Sequence, residues 1–124
     1  MAQILLVEPD TILGKTYSTA LKQAGFDVAV VKTAQDAISN MDTHVPDCLV
    51  IEIQLANNNG VELLHELRSH SDLKFTPIII CSSVSKEDIG LTTEMCNRLG
   101  IVGYCYKPST SLEMLVNVAR QATE

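Results

Sequence analysis

The chain has 124 residues, is 46% hydrophobic and 19% charged, and carries a formal net charge of −6. That length suits one domain, spanning residues 1–124, that folds without metal or disulfide support. An acidic balance with no run of Lys or Arg argues against a nucleic-acid or anionic-membrane partner, and no apolar stretch approaches the roughly 20 residues of a membrane helix.

Met1 to Glu8 shows neither a basic leader nor a cleavage site, so no signal peptide is expected. Trp is absent and only three Tyr and two Phe are present, so the core must be aliphatic. Cys48, Cys81, Cys96 and Cys105 show no CxxC spacing and read as buried free thiols in a reducing cytosol, which implies a cytoplasmic location.

Residues 3 to 8 form an apolar run ending in a carboxylate, the pattern of a first strand. Pro9 biases Glu8 toward extended geometry, and Asp10 suits a helix N-cap. Leu13, Tyr17, Ala20, Leu21 and Ala24 recur at helical spacing, and Gly25 ends that helix. Phe26 to Val31 is a second strand. Thr33 and Asp36 have capping-box spacing before a helix whose apolar stripe is Ala34, Ala37, Ile38 and Met41. Cys48 to Glu52 is a third strand. Asn57, Asn58, Asn59 and Gly60 then make a turn, and Val61, Leu64 and Leu67 mark a third helix.

Pro77 introduces Ile78 to Cys81, a fourth strand stopping at Ser82 and Ser83. Ser85 and Asp88 repeat the capping spacing, and Ile89, Thr92, Thr93, Cys96 and Leu99 line one continuous fourth helix ended by Gly100. Ile101 to Tyr106 is a fifth strand, closed by Lys107 and Pro108. A last helix carries Leu112, Leu115, Val116 and Ala119. Five strand–helix repeats imply a parallel sheet covered on both faces, and the unbroken apolar strands agree.

In such a sheet, ligands bind at the carboxyl ends of the strands. Those ends here carry Glu8, Pro9 and Asp10, then Glu52, then Ser82 and Ser83, then Lys107. Each has a bland reading alone: a cap, a strand end, a solvated lysine. Their convergence from four strand ends points to a site.

Ile4 to Asp10, the Glu52-to-Gly60 spacing, Pro77 to Ser83 and Tyr104 to Pro108 together resemble the receiver domain of bacterial two-component response regulators, including the single-domain chemotaxis-regulator type. The resemblance covers nearly the whole chain. It implies a flavodoxin-like, doubly wound α/β fold with a five-stranded parallel sheet in the order 2-1-3-4-5 and five helices. It also implies signalling by protein–protein contact rather than enzymatic turnover. In the family, an acid pair after strand one and an aspartate after strand three bind Mg²⁺, and that aspartate accepts a phosphoryl group from a histidine kinase. By resemblance the acid pair falls on Glu8 and Pro9, the phosphoacceptor on Glu52, the hydroxyl on Ser82, the switch aromatic on Tyr104 and the lysine on Lys107. The loop proline of the family is Ala56.

Two departures touch the chemistry. Glu52 is one methylene longer than the family's aspartate, which displaces the carboxylate by about 1 Å, and misplacement on that scale can lower a rate roughly 10²-fold. Pro9 replaces a metal-binding acid, and Mg²⁺ demands near-ideal octahedral oxygen geometry. No metal is therefore expected, beyond a weak Mg²⁺ site at Glu8, Asp10 and Glu52. Asp10 is expected to cap the first helix, and Glu52 to pair with Lys107, either as a static ion pair or as a mimic of a phosphorylated acceptor.

The expected function is thus an atypical receiver working independently of phosphorylation, with a histidine kinase or downstream effector as partner. Leu91 and Met95, off the core face of the fourth helix, together with Tyr104 and Tyr106, form the expected interaction face. The alternatives are a Mg²⁺-dependent phosphoreceiver using Glu8, Asp10 and Glu52, and a small flavodoxin-like enzyme or ligand carrier. The strand-end loops, however, lack phosphate-cradling glycines. His44, His65 and His70 read as surface residues without metal-like spacing.

Overall fold

The computed structural model describes residues 1–55, 60–70, 73 and 75–124. The Asn57–Asn59 turn and Ala56 lie outside the described residues.

Continuous Ile, Leu and Val runs build the strands β1 (Gln3–Val7), β2 (Asp27–Val31), β3 (Cys48–Ile51), β4 (Ile78–Ser82) and β5 (Ile101–Tyr106). They pair in parallel in the order β2-β1-β3-β4-β5. This is the doubly wound arrangement expected from the residues. The helices are α1 (Thr11–Gln23), α2 (Ala34–Thr43), α3 (Gly60–Ser69), α4 (Lys86–Ile89), α5 (Thr93–Leu99) and α6 (Leu112–Thr123).

The period of two along each strand sends alternate residues into two cores. Leu5, Val7, Leu49, Ile51, Ile78 and Ile80 meet Ala37, Met41, Leu63, Leu64, Leu67 and Leu99 from α2, α3 and α5. Ile4, Leu6, Cys48, Val50, Ile79, Cys81 and Cys105 meet Leu21, Leu115 and Ala119 from α1 and α6. Each fully buried aliphatic side chain contributes about 1.5–3 kcal/mol, so the central strands carry most of the stability. All four cysteines are buried and free.

The caps at Asp10, Thr33 and Ser85 lie where the sequence places them, and Ser111 caps the last helix. Asp10, Thr33, Ser85 and Ser111 each accept the backbone N–H three residues on, at 2.9–3.1 Å.

One element differs. The expected fourth helix is two helices, so six α-helices rather than five occur among the described residues. Gly90 adopts a left-handed conformation (φ 79°) and ends α4. Thr92, expected inside the helix, instead caps α5 by accepting from Met95 N at 3.1 Å. Leu91, between the two, is 6% exposed and belongs to the core. Apolar periodicity does not register this short break, a left-handed Gly90 followed by Leu91 and an extended Thr92, because the same hydrophobic positions serve both geometries.

A candidate functional site at the carboxyl edge of the sheet

β1 and β3 are neighbours, with Val7 opposite Ile51. The residues just beyond, Glu8 and Glu52, therefore stand side by side at the carboxyl edge of the sheet. The backbone holds both: Glu8 N donates to Val31 O and Glu52 N to Val7 O, each at 2.9 Å. At the far side of this edge loop, Gly60 N donates to Ile53 O at 2.8 Å. A Cβ on Gly60 would fall 2.7 Å from the Ile53 backbone, so only glycine lets α3 start this close to the site.

Lys107 follows β5, two strands away, and its long stem brings the ammonium across β4. Its Nζ lies 2.6 Å from Glu8 Oε1 and 2.9 Å from Glu52 Oε1. The side chain of Lys107 is 12% exposed, and Glu8 and Glu52 are 3% and 4% exposed as residues. One ammonium thus serves two buried carboxylates.

The remaining acceptor positions are also engaged. Gln54 N donates to Glu52 Oε2 at 3.1 Å, Ser83 N to Glu52 Oε1 at 3.3 Å, and Asp10 N to Glu8 Oε2 at 3.1 Å. Pro9 brings no side-chain donor or acceptor. The Asp10 carboxylate is exposed and turned to its own helix, where Oδ1 accepts from Leu13 N.

Burial alone would raise the Glu52 pKa. The Ser82 hydroxyl, the Lys107 ammonium and the Gln54 amide outweigh it and hold the carboxyl below its ordinary value. Burial likewise would lower the Lys107 pKa, and hydrogen bonds to Glu8 and Glu52 instead push it above the ordinary lysine value.

The site is wired outward through β4 and β5. The Ser82 hydroxyl acts on both the Glu52 carboxylate and the Tyr104 phenol, and its Oγ accepts from Val84 N at 3.1 Å. Tyr104 is half-buried, and its hydroxyl donates to Val84 O at 2.5 Å. Its ring packs on the α3–α5 core, whereas α6 covers the opposite sheet face. Tyr106 is 38% exposed and Met95 half-buried. Leu91 does not join them at the surface, because the break at Gly90 turns it inward. His44, His65 and His70 are all exposed.

Three contacts lay beyond sequence reading: Lys107 with Glu8, and the amides of Gln54 and Ser83 on Glu52. The adjacency of β1 and β3 in the expected strand order was the available signal for the first. The other two depend on loop backbone, which no side-chain pattern encodes.

The family model of the response regulator receiver domain matches residues 4–119. The chain belongs to this family. Among curated relatives, the transcriptional regulatory protein TrcR of Mycobacterium tuberculosis is 36% identical over 117 residues, covering 92% of this chain and 42% of that protein. The two-component response regulator-like APRR1 of Arabidopsis thaliana is 31% identical over 116 residues, covering 91% of this chain and 18% of that protein. In three dimensions, the receiver superposes on the chemotaxis response regulator CheY4 of Vibrio cholerae with a TM-score of 0.85, at 23% identity and 98% coverage of both chains. That likeness speaks for the fold. The receiver spans less than half the length of the curated relatives it matches.

Response regulator receivers are modules of two-component signalling, and response regulators interact with histidine kinases and effectors. Among the described residues, no helix is long and apolar enough to cross a membrane.

Proposed function

We propose that this receiver works without taking up a phosphoryl group, as a cytoplasmic signalling module and not an enzyme. It would contact a histidine kinase or a downstream effector through the face formed by α4, α5, β5 and α6. The observation that carries the reading is the shared ammonium: Lys107 stands 2.6 and 2.9 Å from the two carboxylates that a divalent cation would need.

The donor set does not fit Mg²⁺. Octahedral coordination needs carboxylate oxygens free to converge on one point. Here both Oε1 atoms face Lys107, both Oε2 atoms accept amides, and Asp10 caps α1. Among the described residues, no three His, Cys, Asp or Glu side chains are placed to hold a metal. Phosphoryl transfer rests on positioning and on charge neutralisation by metal and cation, and the Glu52 carboxylate is already held by Lys107 and by the Gln54 and Ser83 amides. Four buried free thiols support the cytoplasmic setting.

On the proposed face, β5 exposes Val102 (57%) and Tyr106, and α6 begins with exposed Leu112 and Met114. A groove of about 320 Å³ between α5 and β5 is lined in part by Lys86, Asn97 and Val102. Clustered apolar exposure of this kind marks interaction surfaces.

The test is incubation with a small phosphodonor and Mg²⁺, read by intact mass. The expected spectrum is unchanged, and a stoichiometric adduct of about 80 Da, one phosphoryl group, would establish the Mg²⁺-dependent phosphoreceiver instead. As a complement, Glu52→Asp with Pro9→Asp should create Mg²⁺ binding, visible as Mg²⁺-dependent amide shifts. Absence of those shifts would mean that acid geometry is not what the site lacks.

A further inference from the structure

The connection from β4 to β5 is anchored at its two ends by different parts of the molecule. At the near end, Ser83 N is on Glu52 and Val84 N on Ser82, while Val84 O receives the Tyr104 hydroxyl. The turn that follows is closed on itself, with Ser85 as its N-cap and Gly90 as its C-cap. At the far end, the anchor is Arg68, from the last turn of α3. Its guanidinium donates from Nε to Leu99 O at 2.6 Å, from Nη1 to Leu73 O at 2.7 Å and from Nη2 to Thr76 O at 2.6 Å.

Leu99 O is one of the carbonyls that the end of α5 leaves without a helical partner, and a cation suits that end of the helix dipole. The fixed fork of the guanidinium suits three convergent carbonyls in a way a lysine ammonium does not. Gly100 makes the approach possible, since a Cβ there would lie 2.2 Å from Arg68 Nη2. Gly90, by contrast, has open space around its Cα. Its glycine is explained by the left-handed turn, not by crowding.

From this we infer that Arg68 is a clamp and Gly90 a hinge, and that together they divide the docking face into a part coupled to the Glu52 site and a part that is not. A change at the Glu52 carboxylate moves Ser83 to Ile89 and stops at Gly90. Helix α5 stays fixed by Arg68 at its end and by Cys96 and Leu99, both buried in the core, whereas Ile89 of α4 rests on that core only half-buried. The groove therefore has one adjustable wall, at Lys86, and one rigid wall, at Thr93 and Asn97. The inference rests on the proposed docking face but needs no assumption about phosphorylation.

Residue-resolved amide hydrogen exchange tests it, without any phosphodonor present, so its outcome is separate from the mass test above. Arg68→Lys should speed exchange at Cys96 to Gly100 by about tenfold or more, with Ile89 and Gly90 within about twofold of wild type. Glu52→Gln should give the reverse pattern. If Arg68→Lys does not fold, Arg68→Gln, which leaves the glycine cap of α5 untouched, must give its pattern. If Glu52→Gln does not fold, Ser82→Ala removes the acceptor of Val84 N–H and must replace it. In a Gly90→Ala background, where a Cβ narrows the conformational freedom of the joint, Glu52→Gln should also speed exchange in α5. Equal acceleration of both segments by either single variant, an unchanged α5 in the clamp variant, or no added coupling with Gly90→Ala would overturn the division.

Discussion

Two cations are drawn into this molecule at opposite ends of its connections, and they are held in different ways. Lys107 sits between two carboxylates at the carboxyl edge of the sheet. Arg68 sits among three backbone carbonyls where α3, the connection to β4 and the end of α5 meet. The first arrangement is a charge balance that titrates. The second is a geometric fit between a fixed fork and main-chain dipoles, and it carries no anion among its hydrogen-bond partners. Burial pulls the Arg68 pKa down with nothing to oppose it, whereas at Lys107 the two carboxylates overcome burial and push the value up.

The largest effect should come from Lys107→Met, which strands two buried carboxylates. Removing one partner of a buried pair costs about 3–5 kcal/mol, measured by urea unfolding at pH 7. Arg68→Met should cost less, about 2–3 kcal/mol, since only carbonyls lose their partner. The pH dependence separates the two cations. Glu52 is held below 4.5, so its contribution is complete above that value and is lost as pH falls through the lower folded value. Lys107 is held above 10.5, so its contribution is complete below that value and is lost as pH rises through the higher folded value. The deficit of Lys107→Met should therefore shrink in acid, while that of Arg68→Met stays flat there, because arginine remains charged. Equal acid dependence in the two variants would refute the contrast.

Glu52→Gln should follow, at about 1–2 kcal/mol at neutral pH, with a flatter acid limb than wild type. The smallest change belongs to Gly90→Ala, about 1 kcal/mol for a left-handed residue in open space. A much larger loss would mean that Gly90 is held by contacts and is no hinge.

The comparison also shows which contacts a linear reading reaches. Glu8, Glu52, Ser82 and Lys107 were legible because each ends an apolar run, and the ends of parallel strands share one edge. The aliphatic runs likewise made the strands and their burial on both faces plain. Arg68 was not legible: nothing about an arginine in the last turn of an amphipathic helix announces that three carbonyls from two other segments will converge on it. Leu91 was misplaced for a related reason. Its apolar spacing to Met95 fits a surface pair on a continuous helix, and a single left-handed glycine between two short helices turns it into the core.

Taken alone, the order and composition of the chain determined the alternating fold and the strand edge that bears the polar residues, Glu8, Glu52, Ser82 and Lys107 among them. Those are properties of residue type and period, which the backbone must obey wherever the elements end up. Only the tertiary structure decided that Lys107 would bridge Glu8 as well as Glu52, that the fourth helix would break at Gly90, and that Arg68 would tie α3 to α5. The two ion and carbonyl contacts depend on distances between segments far apart in sequence, and the break on which side chain the core takes up, all set by how the two cores pack against the sheet.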